Sequence, residues 1–403
     1  MEVKERTKSQ RGISTLCVQG RAVQEAGPAV VPIVQASTFV FEDQQDMLDS
    51  VAGKSGKDVY TRWSNPTTHH VEQKISALEG TEDSLVVSSG MAAISSTVMG
   101  LAKAGDRILS SDSIYGGTLH LFQDVLPRNG IHVDFIGTEQ FADRLLVSRG
   151  KYRLCYFETP TNPTLKIMDI ASVAHAAQST ETLSVIDSTF GTPVNQKPHE
   201  QGVDVVIHSA TKYLGGHADI TAGTASGRKE IIDRIRGAYK LLGGTIDPFA
   251  SFLLDRGIKT LALRMERHNS NALYLAQNLS RDRRIRQVHY PGLPSHPHHS
   301  IARNQMRGFG GMLSLELDCD LETTKHLVDS LELFLNAVSL GSVQSLASIP
   351  VLTTHYNIDP RVLSKMGISE STVRLSVGIE DRDDLLSDLK AALDSAFGGS
   401  RVN

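Results

Sequence analysis

The window VDVVIHSATKYLGGH (203–217) sets Lys212 just past an apolar run and just before a glycine pair, Gly215–Gly216. A lysine at a strand end, beside a Gly-rich turn and under a bound phosphate, can form an imine with an aldehyde cofactor. Free lysine has a pKa of about 10.4, so such a lysine needs a partly buried site to react near neutrality. Ser209 and Thr211 stand two apart, and in an extended segment residues two apart share a side. They would then offer two hydroxyls to one phosphate while Lys212 projects the other way. Upstream, SVIDSTFGTP ends a strand-like run in Asp187, 25 residues before the lysine. A buried carboxylate there would keep a pyridine nitrogen protonated, which tunes such a ring as an electron sink. Ser88-Ser89-Gly90-Met91 joins a strand pattern to a helix pattern, where glycine permits close backbone approach and helix N–H groups attract an anion. In ETPTNP, Asn162 follows another strand, with its amide in reach of a ring oxygen. Read singly, these are a surface lysine, a turn-capping aspartate and two ordinary turns. In this order, on successive strand ends, they describe a site for pyridoxal phosphate.

The elements that would carry these residues alternate. VEQKISALEG reads as an amphipathic helix stopped by Gly80, and MAAISSTVMGLA as another. Strand patterns recur at DSLVV, DRILSS, HVDFIG, RLCYFETP, LSVID and DVVIHSA. A helix-length segment separates each from the next, the mark of a mostly parallel α/β sheet with helices on both faces. Before residue 60 the chain reads irregularly: AVVPIVQASTFVF is short, apolar and extended, and a polar loop follows it. Near residue 255 the texture changes to a long helical pattern, IKTLALRMERHNSNALYLAQNLSRD, then a Pro/His loop and strand–helix pairs. The expected division is an N-terminal arm (1–62), a large cofactor-binding domain (63–255) and a smaller C-terminal α/β domain (256–403).

Bulk properties exclude several classes. Lys and Arg number 41 against 45 Asp and Glu, a formal charge of −4, so nothing advertises a nucleic-acid or anionic-membrane partner. No apolar run reaches the roughly 20 residues of a membrane span, and MEVKERTKSQRG lacks the apolar core of a signal peptide. Cys17, Cys155 and Cys319 fit neither a disulfide framework nor a zinc site, which points to a reducing cytoplasm. His296, His298 and His299 cluster as metal ligands do.

From Thr15 to Phe397 the chain resembles the Cys/Met-metabolism enzymes that use pyridoxal phosphate: cystathionine γ-synthase, the cystathionine lyases, methionine γ-lyase and the O-acylhomoserine sulfhydrylases. The matching segments are YTRWSNPT (60–67), SSGMAAI (88–94), YGGT (115–118), ETPTNP (158–163), HSATKYLGGH (208–217), YPGLPSHPHH (290–299) and VRLSVGIED (373–381). The resemblance implies a fold type I transferase, with Lys212 as Schiff-base lysine and proton shuttle and Asp187 on the pyridine nitrogen. It implies Gly90, Met91, Ser209 and Thr211 at the phosphate, with Tyr60 and Arg62 supplied there by a neighbouring subunit. Tyr115 would stack on the ring and assist acid/base steps. Arg374, with Ser339 and Asn162, would grip the substrate α-carboxylate, a task suited to the planar arginine fork. A homotetramer, built as a dimer of dimers, and a His-bearing loop without a metal are implied as well.

The implied reaction is γ-replacement or γ-elimination on a C4-substituted L-amino acid. A catalytically silent relative and an aminotransferase remain the rival readings. Two departures bear on the substrate. Gln344 stands where family members commonly carry Glu, near the distal end of the substrate, and Ile349 where they carry His. Losing the carboxylate removes a charge partner for a second amino group. Gly117, where methionine γ-lyases often have Cys, and Trp63, where many members have Tyr, are further departures.

Overall fold

The computed structural model describes residues 11–20, 27–354, 356–357, 361, 363 and 366–398; residues 1–10 and 21–26 of the arm lie outside them. Two sheets organise the chain. The larger has seven strands: β1 (Asp83–Val87), β2 (Arg107–Ser111), β3 (His132–Ile136), β4 (Leu154–Glu158), β5 (Leu183–Asp187), β6 (Val205–His208) and β7 (Gly223–Gly227). Their order is β1-β7-β6-β5-β4-β2-β3. The five strands from β3 to β6 pair in parallel, whereas β7 runs antiparallel to both its neighbours.

Strand alternation explains why helices cover both faces. On β6, Val205 and Ile207 pack with Leu85, Val185 and Ala225 against Ala93, Ile94, Val98, Ile232 and Ile235 of helices Gly90–Leu101 and Lys229–Leu242. Val206, between them, turns to the opposite face with Ile186, Phe157 and Leu109, under helices Phe141–Ser148 and Ile170–Ser179. The six strand patterns read from the sequence are β1 to β6. Helix Pro66–Glu79 starts five residues before VEQKISALEG, with Asn65 capping it through Thr67 N, and it ends at Gly80 in the left-handed region (φ 78°).

Two elements lie outside those expectations. The polar loop before Tyr60 contains a helix, Gln44–Val51, capped by Asp43 accepting from Asp46 N. The apolar stretch before it forms no strand; it makes one antiparallel bridge, Thr38 to Tyr60. The other is β7, whose sequence GTASG has no β-branched or aromatic run. Its glycines answer to sterics: a Cβ on Gly223 would lie 2.1 Å from Ser89 O, and one on Gly227 would lie 2.4 Å from Asp204 O.

Helices Pro248–Ile258 and Leu261–Leu279 lead to the second sheet: β8 (Ile285–His289), β9 (Met312–Leu317), β10 (Leu335–Asn336), β11 (Leu346–Ser348) and β12 (Thr372–Ser376). Its order is β10-β11-β12-β9-β8. Leu313, Leu315, Val373 and Leu375 bury one face of it against Leu275, Leu279, Leu385 and Leu389 of helices Leu261–Leu279 and Arg382–Gly398. Among the described residues no helix is long and apolar enough to cross a membrane.

The Gly223 contact yields a test. Gly223→Ala forces β7 away from Ser89, a small-to-large change that costs roughly 1–3 kcal/mol. Chemical denaturation should register that loss, and an unchanged midpoint would show that the close approach is not a constraint.

Candidate active site

Parallel strands leave their C-terminal ends on one edge, and crevices at that edge are where α/β sheets bind ligands. Here β1, β4, β5 and β6 end at Val87, Glu158, Asp187 and His208, and the segments after them converge on a cavity of about 310 Å³. Its wall includes Gly90, Met91, Tyr115, Asn162, Asp187, Ser209, Thr211, Lys212, Ser339 and Arg374. Ten of the thirteen residues singled out from the sequence are thereby brought together.

The geometry around Lys212 differs from the expected extended segment. After His208 the chain turns, and Lys212 N donates to Ser209 O at 3.1 Å, so strict side-to-side alternation does not hold there. A turn brings Lys212 into the cavity with both hydroxyl residues on its wall. Thr211 Oγ1 is engaged with Ala222, donating to its carbonyl at 3.1 Å and accepting from its N–H at 2.9 Å. Lys212 Nζ donates to Ser339 Oγ at 2.6 Å. Burial, then the nearby Arg374 charge, pushes the Lys212 amine down to about 8.

Asp187 is buried, and burial pushes its carboxyl up. Thr189 opposes this with two hydrogen bonds to Oδ1, from its hydroxyl at 2.5 Å and its N–H at 3.0 Å. Tyr156 OH approaches Oδ2 at 3.5 Å. Thr189 Oγ1 also accepts from Ser209 N at 2.8 Å, tying the Asp187 strand end to the loop that carries Lys212.

Gly90 opens helix Gly90–Leu101, capped by Ser89 accepting from Ala92 N at 3.0 Å. A Cβ on Gly90 would lie 2.8 Å from Ser209 Cβ. The helix N-terminus and the Ser209 hydroxyl thus share one small cradle, suited in size and polarity to a phosphate. Tyr115 is 43% exposed and leans over Gly117: a Cβ there would meet its Cε1 at 2.6 Å and Met91 Sδ at 3.2 Å. Glycine at 117 therefore sets the Tyr115 ring position, and any side chain there displaces it.

Arg374 comes from the second sheet, on β12. It is 3% exposed and donates to Asn162 Oδ1 at 3.2 Å and to Ser339 O at 3.1 Å. Burial lowers it to about 10, a value at which it is still cationic near neutrality. Ser339 adopts φ 90°, a region rarely used without glycine, and such strain concentrates at functional sites.

Four residues named from the sequence lie elsewhere. Gln344 is exposed, away from the cavity wall, with its own N–H directed to Ser342 Oγ at 3.4 Å. Ile349 is buried in the core of the second sheet. Tyr60 and Arg62 line a different surface pocket with Gln35–Ser37 and Thr245–Pro248. Arg62 donates to Lys240 O and stacks 5.4 Å from the Tyr60 ring. The histidines of the Pro-rich loop bond to backbone: His298 Nδ1 accepts from Ile167 N, His296 Nδ1 accepts from His298 N, and His299 Nδ1 lies 2.8 Å from Pro291 O. Glu158, Thr189, Val338 and Thr354 also line the cavity, although no motif in the sequence marks them. Glu158 opens the segment ETPTNP, and its signal is the strand register, which sets it opposite Asp187.

This doubly sheeted fold, with its cleft at the C-terminal edge of the parallel strands, is that of a fold type I enzyme that uses pyridoxal phosphate. Residues 14–394 match the family model for Cys/Met metabolism PLP-dependent enzymes, and the chain belongs to that family. It is 42% identical over 369 residues to the cystathionine beta-lyase of Lactococcus lactis subsp. cremoris, covering 91% of this chain and 94% of the relative. It is 41% identical to the L-methionine gamma-lyase of Pseudomonas putida, covering 95% and 97%. The crystal structure of cystathionine gamma-lyase from Lactobacillus plantarum complexed with L-serine superposes with a TM-score of 0.89 at 38% identity, covering 96% and 100%.

The Lys212 environment makes a prediction independent of catalysis. In cofactor-free protein, acetylation of Lys212 should rise with pH around a midpoint of about 8. Arg374→Gln removes a positive neighbour and should move that midpoint upward. Peptide mass spectrometry reads both, and a midpoint at the free-lysine value of about 10.4 would contradict the burial argument.

Proposed function

We propose that this enzyme carries pyridoxal phosphate on Lys212 and catalyses γ-replacement or γ-elimination on a C4-substituted L-amino acid. The observation that carries the reading is the contact of Lys212 Nζ with Ser339 Oγ, inside a cavity whose other wall presents Arg374 and Asp187. The bound cofactor supplies an electron sink for charge developing at Cα.

The chain's own residues divide the remaining work. The Gly90–Met91 helix start and Ser209 would hold the phosphate, joined by Thr211 once its hydroxyl turns from the Ala222 carbonyl. Asp187 would pair with the pyridine nitrogen, whose charge when protonated would favour the carboxyl's anionic form. Arg374 binds the substrate α-carboxylate through its fork, held at the back by Asn162 and the Ser339 carbonyl. Lys212, poised near pH 8, accepts the Cα proton and returns protons along the substrate. Ser339 Oγ steers that amine while it is free. Tyr115, exposed at the edge of the cleft, would cover the ring and protonate the departing group.

Tyr60 and Arg62 lie outside the Lys212 cavity of their own chain, which supports their delivery to the phosphate of a neighbouring copy. The arm (1–62) would then reach across a subunit boundary, in a cytoplasmic homotetramer made of two dimers. The larger unit (63–255) would hold the cofactor and the C-terminal unit (256–403) would supply Arg374 and Ser339.

The cavity wall also restricts the substituent on Cγ. Among the described residues its carboxyl and basic members are Glu158, Asp187, Lys212 and Arg374, and its exposed members are Tyr115, Thr221 and Val338. Val338 is 61% exposed and lies beside Ser339. A γ-substituent without a charge at its far end fits this exposed edge better than one ending in an ammonium or carboxylate group.

The test is a panel of O-acetyl-, O-succinyl- and O-phosphohomoserine, cystathionine and methionine, with and without a thiol. New amino acid marks replacement, and 2-oxobutyrate with ammonia marks elimination. Lys212→Ala should lose the yellow cofactor absorbance and all turnover. Failure of every C4-substituted substrate, in protein that is yellow, would overturn the reading in favour of a silent relative. Methionine and O-acetylhomoserine should lead the panel, and Val338→Glu should raise relative use of cystathionine by about tenfold, as one charged hydrogen bond would.

A further inference from the structure

The cavity contains a fully enclosed carboxyl that none of the steps above employs. Glu158 closes β4, is 5% exposed, and stands opposite Asp187 in the sheet register. Two buried carboxyls on neighbouring strand ends are costly unless each is compensated. Asp187 has Thr189. Glu158 is met instead by main chain: Tyr115 N donates to its Oε2 at 2.9 Å, and the Asn162 N–H also reaches it. Those donors belong to segments that follow different strands, β2 and β4.

We propose that Glu158 is the positioning residue that couples the ring covering the cofactor to the grip on the substrate carboxylate. One side chain fixes the backbone at Tyr115 and the backbone at Asn162 relative to each other. Asn162 passes the constraint on through Oδ1 to Arg374, and Arg374 passes it to Ser339 and thence to Lys212. The chain runs from the mouth of the cleft to its amine and crosses from one sheet to the other. Burial, and then the Asp187 charge, push the Glu158 carboxyl well above the ordinary range. In its neutral form it resembles a glutamine in shape and charge, and one carbonyl oxygen has lone pairs for two N–H donors.

This proposal rests on the reading of Arg374 as the carboxylate grip, so that reading is tested beside it. The probe is L-norleucine, which presents an α-carboxylate and has no leaving group on Cγ. Its inhibition constant is measured with holoenzyme, together with the affinity of cofactor-free protein for pyridoxal phosphate by absorbance titration. Glu158→Leu should weaken both by about tenfold or more, since both ends of the coupling loosen. Glu158→Gln should keep both within about threefold of the starting protein, because an acceptor of the same shape remains. A cycle with Asn162→Ala, built on Glu158→Leu or, if that variant fails to fold, on the similarly sized Glu158→Met, separates coupling from general loosening. Combined losses in norleucine affinity that fall short of the product of the single losses support transmission through Asn162. If Arg374→Gln leaves norleucine inhibition unchanged, the grip reading fails. If Arg374→Gln abolishes it while folded Glu158→Leu retains both affinities, the Glu158 proposal fails. Glu158→Gln losing as much as Glu158→Leu would also overturn it.

Discussion

The active cleft depends on the burial of one guanidinium. Arg374 belongs to the second sheet, yet one of its partners, Asn162, follows a strand of the first. Removing a cation from water costs several kcal/mol unless hydrogen bonds replace its hydration. The two sheets must therefore hold the register in which Asn162 Oδ1 and Ser339 O both reach the fork. The same register brings Ser339 Oγ to Lys212. Lys212 and Arg374 lie far apart in the sequence, and this shared requirement aligns them. The unusual backbone of Ser339 is consistent with a residue serving both: its carbonyl faces the arginine and its hydroxyl faces the lysine.

The charge balance of the cleft follows from the same burial. Desolvation drives every group toward its neutral form: Asp187 and Glu158 upward, Lys212 and Arg374 downward. The groups do not respond equally. At about 8 the lysine exchanges its proton readily near neutrality, whereas the arginine at about 10 stays charged. One cation is thus available for proton transfer and the other for binding, a division set by the chemistry of the two side chains in similar surroundings.

Much of this was legible in the sequence because strand ends carry the chemistry. Val, Ile and Leu runs marked β1 to β6, and the polar residues that ended them (Asp187, Ser209, Lys212, Asn162) fell on one edge once the strands were parallel. What escaped has physical causes. Helix Gln44–Val51 is short and polar, and only its Asp43 cap distinguishes it from a loop. Glu158 drew no notice because its meaning lies in a neighbour across the sheet. The turn after His208 replaced an extended segment because Lys212 N closes back on Ser209 O. Gln344 shares a segment with Ser339, but the side a loop residue faces is decided by its turn, and this turn sends it to solvent.

β7 shows most directly why sequence pattern and function part company. By composition GTASG is a poor strand, and a propensity argument passes over it. Yet its place between β1 and β6 demands small residues, because Gly223 lies under Ser89 O and Gly90 lies against Ser209. Three backbones meet there with almost no side chain between them. That closeness brings the helix start, the Ser209 hydroxyl and the lysine loop within reach of one small anion. Larger residues in β7 would improve its strand propensity and push the helix start away from the lysine loop. The weak strand pattern is thus a consequence of the anion cradle, and the residues least like a strand are the ones that let the cradle close.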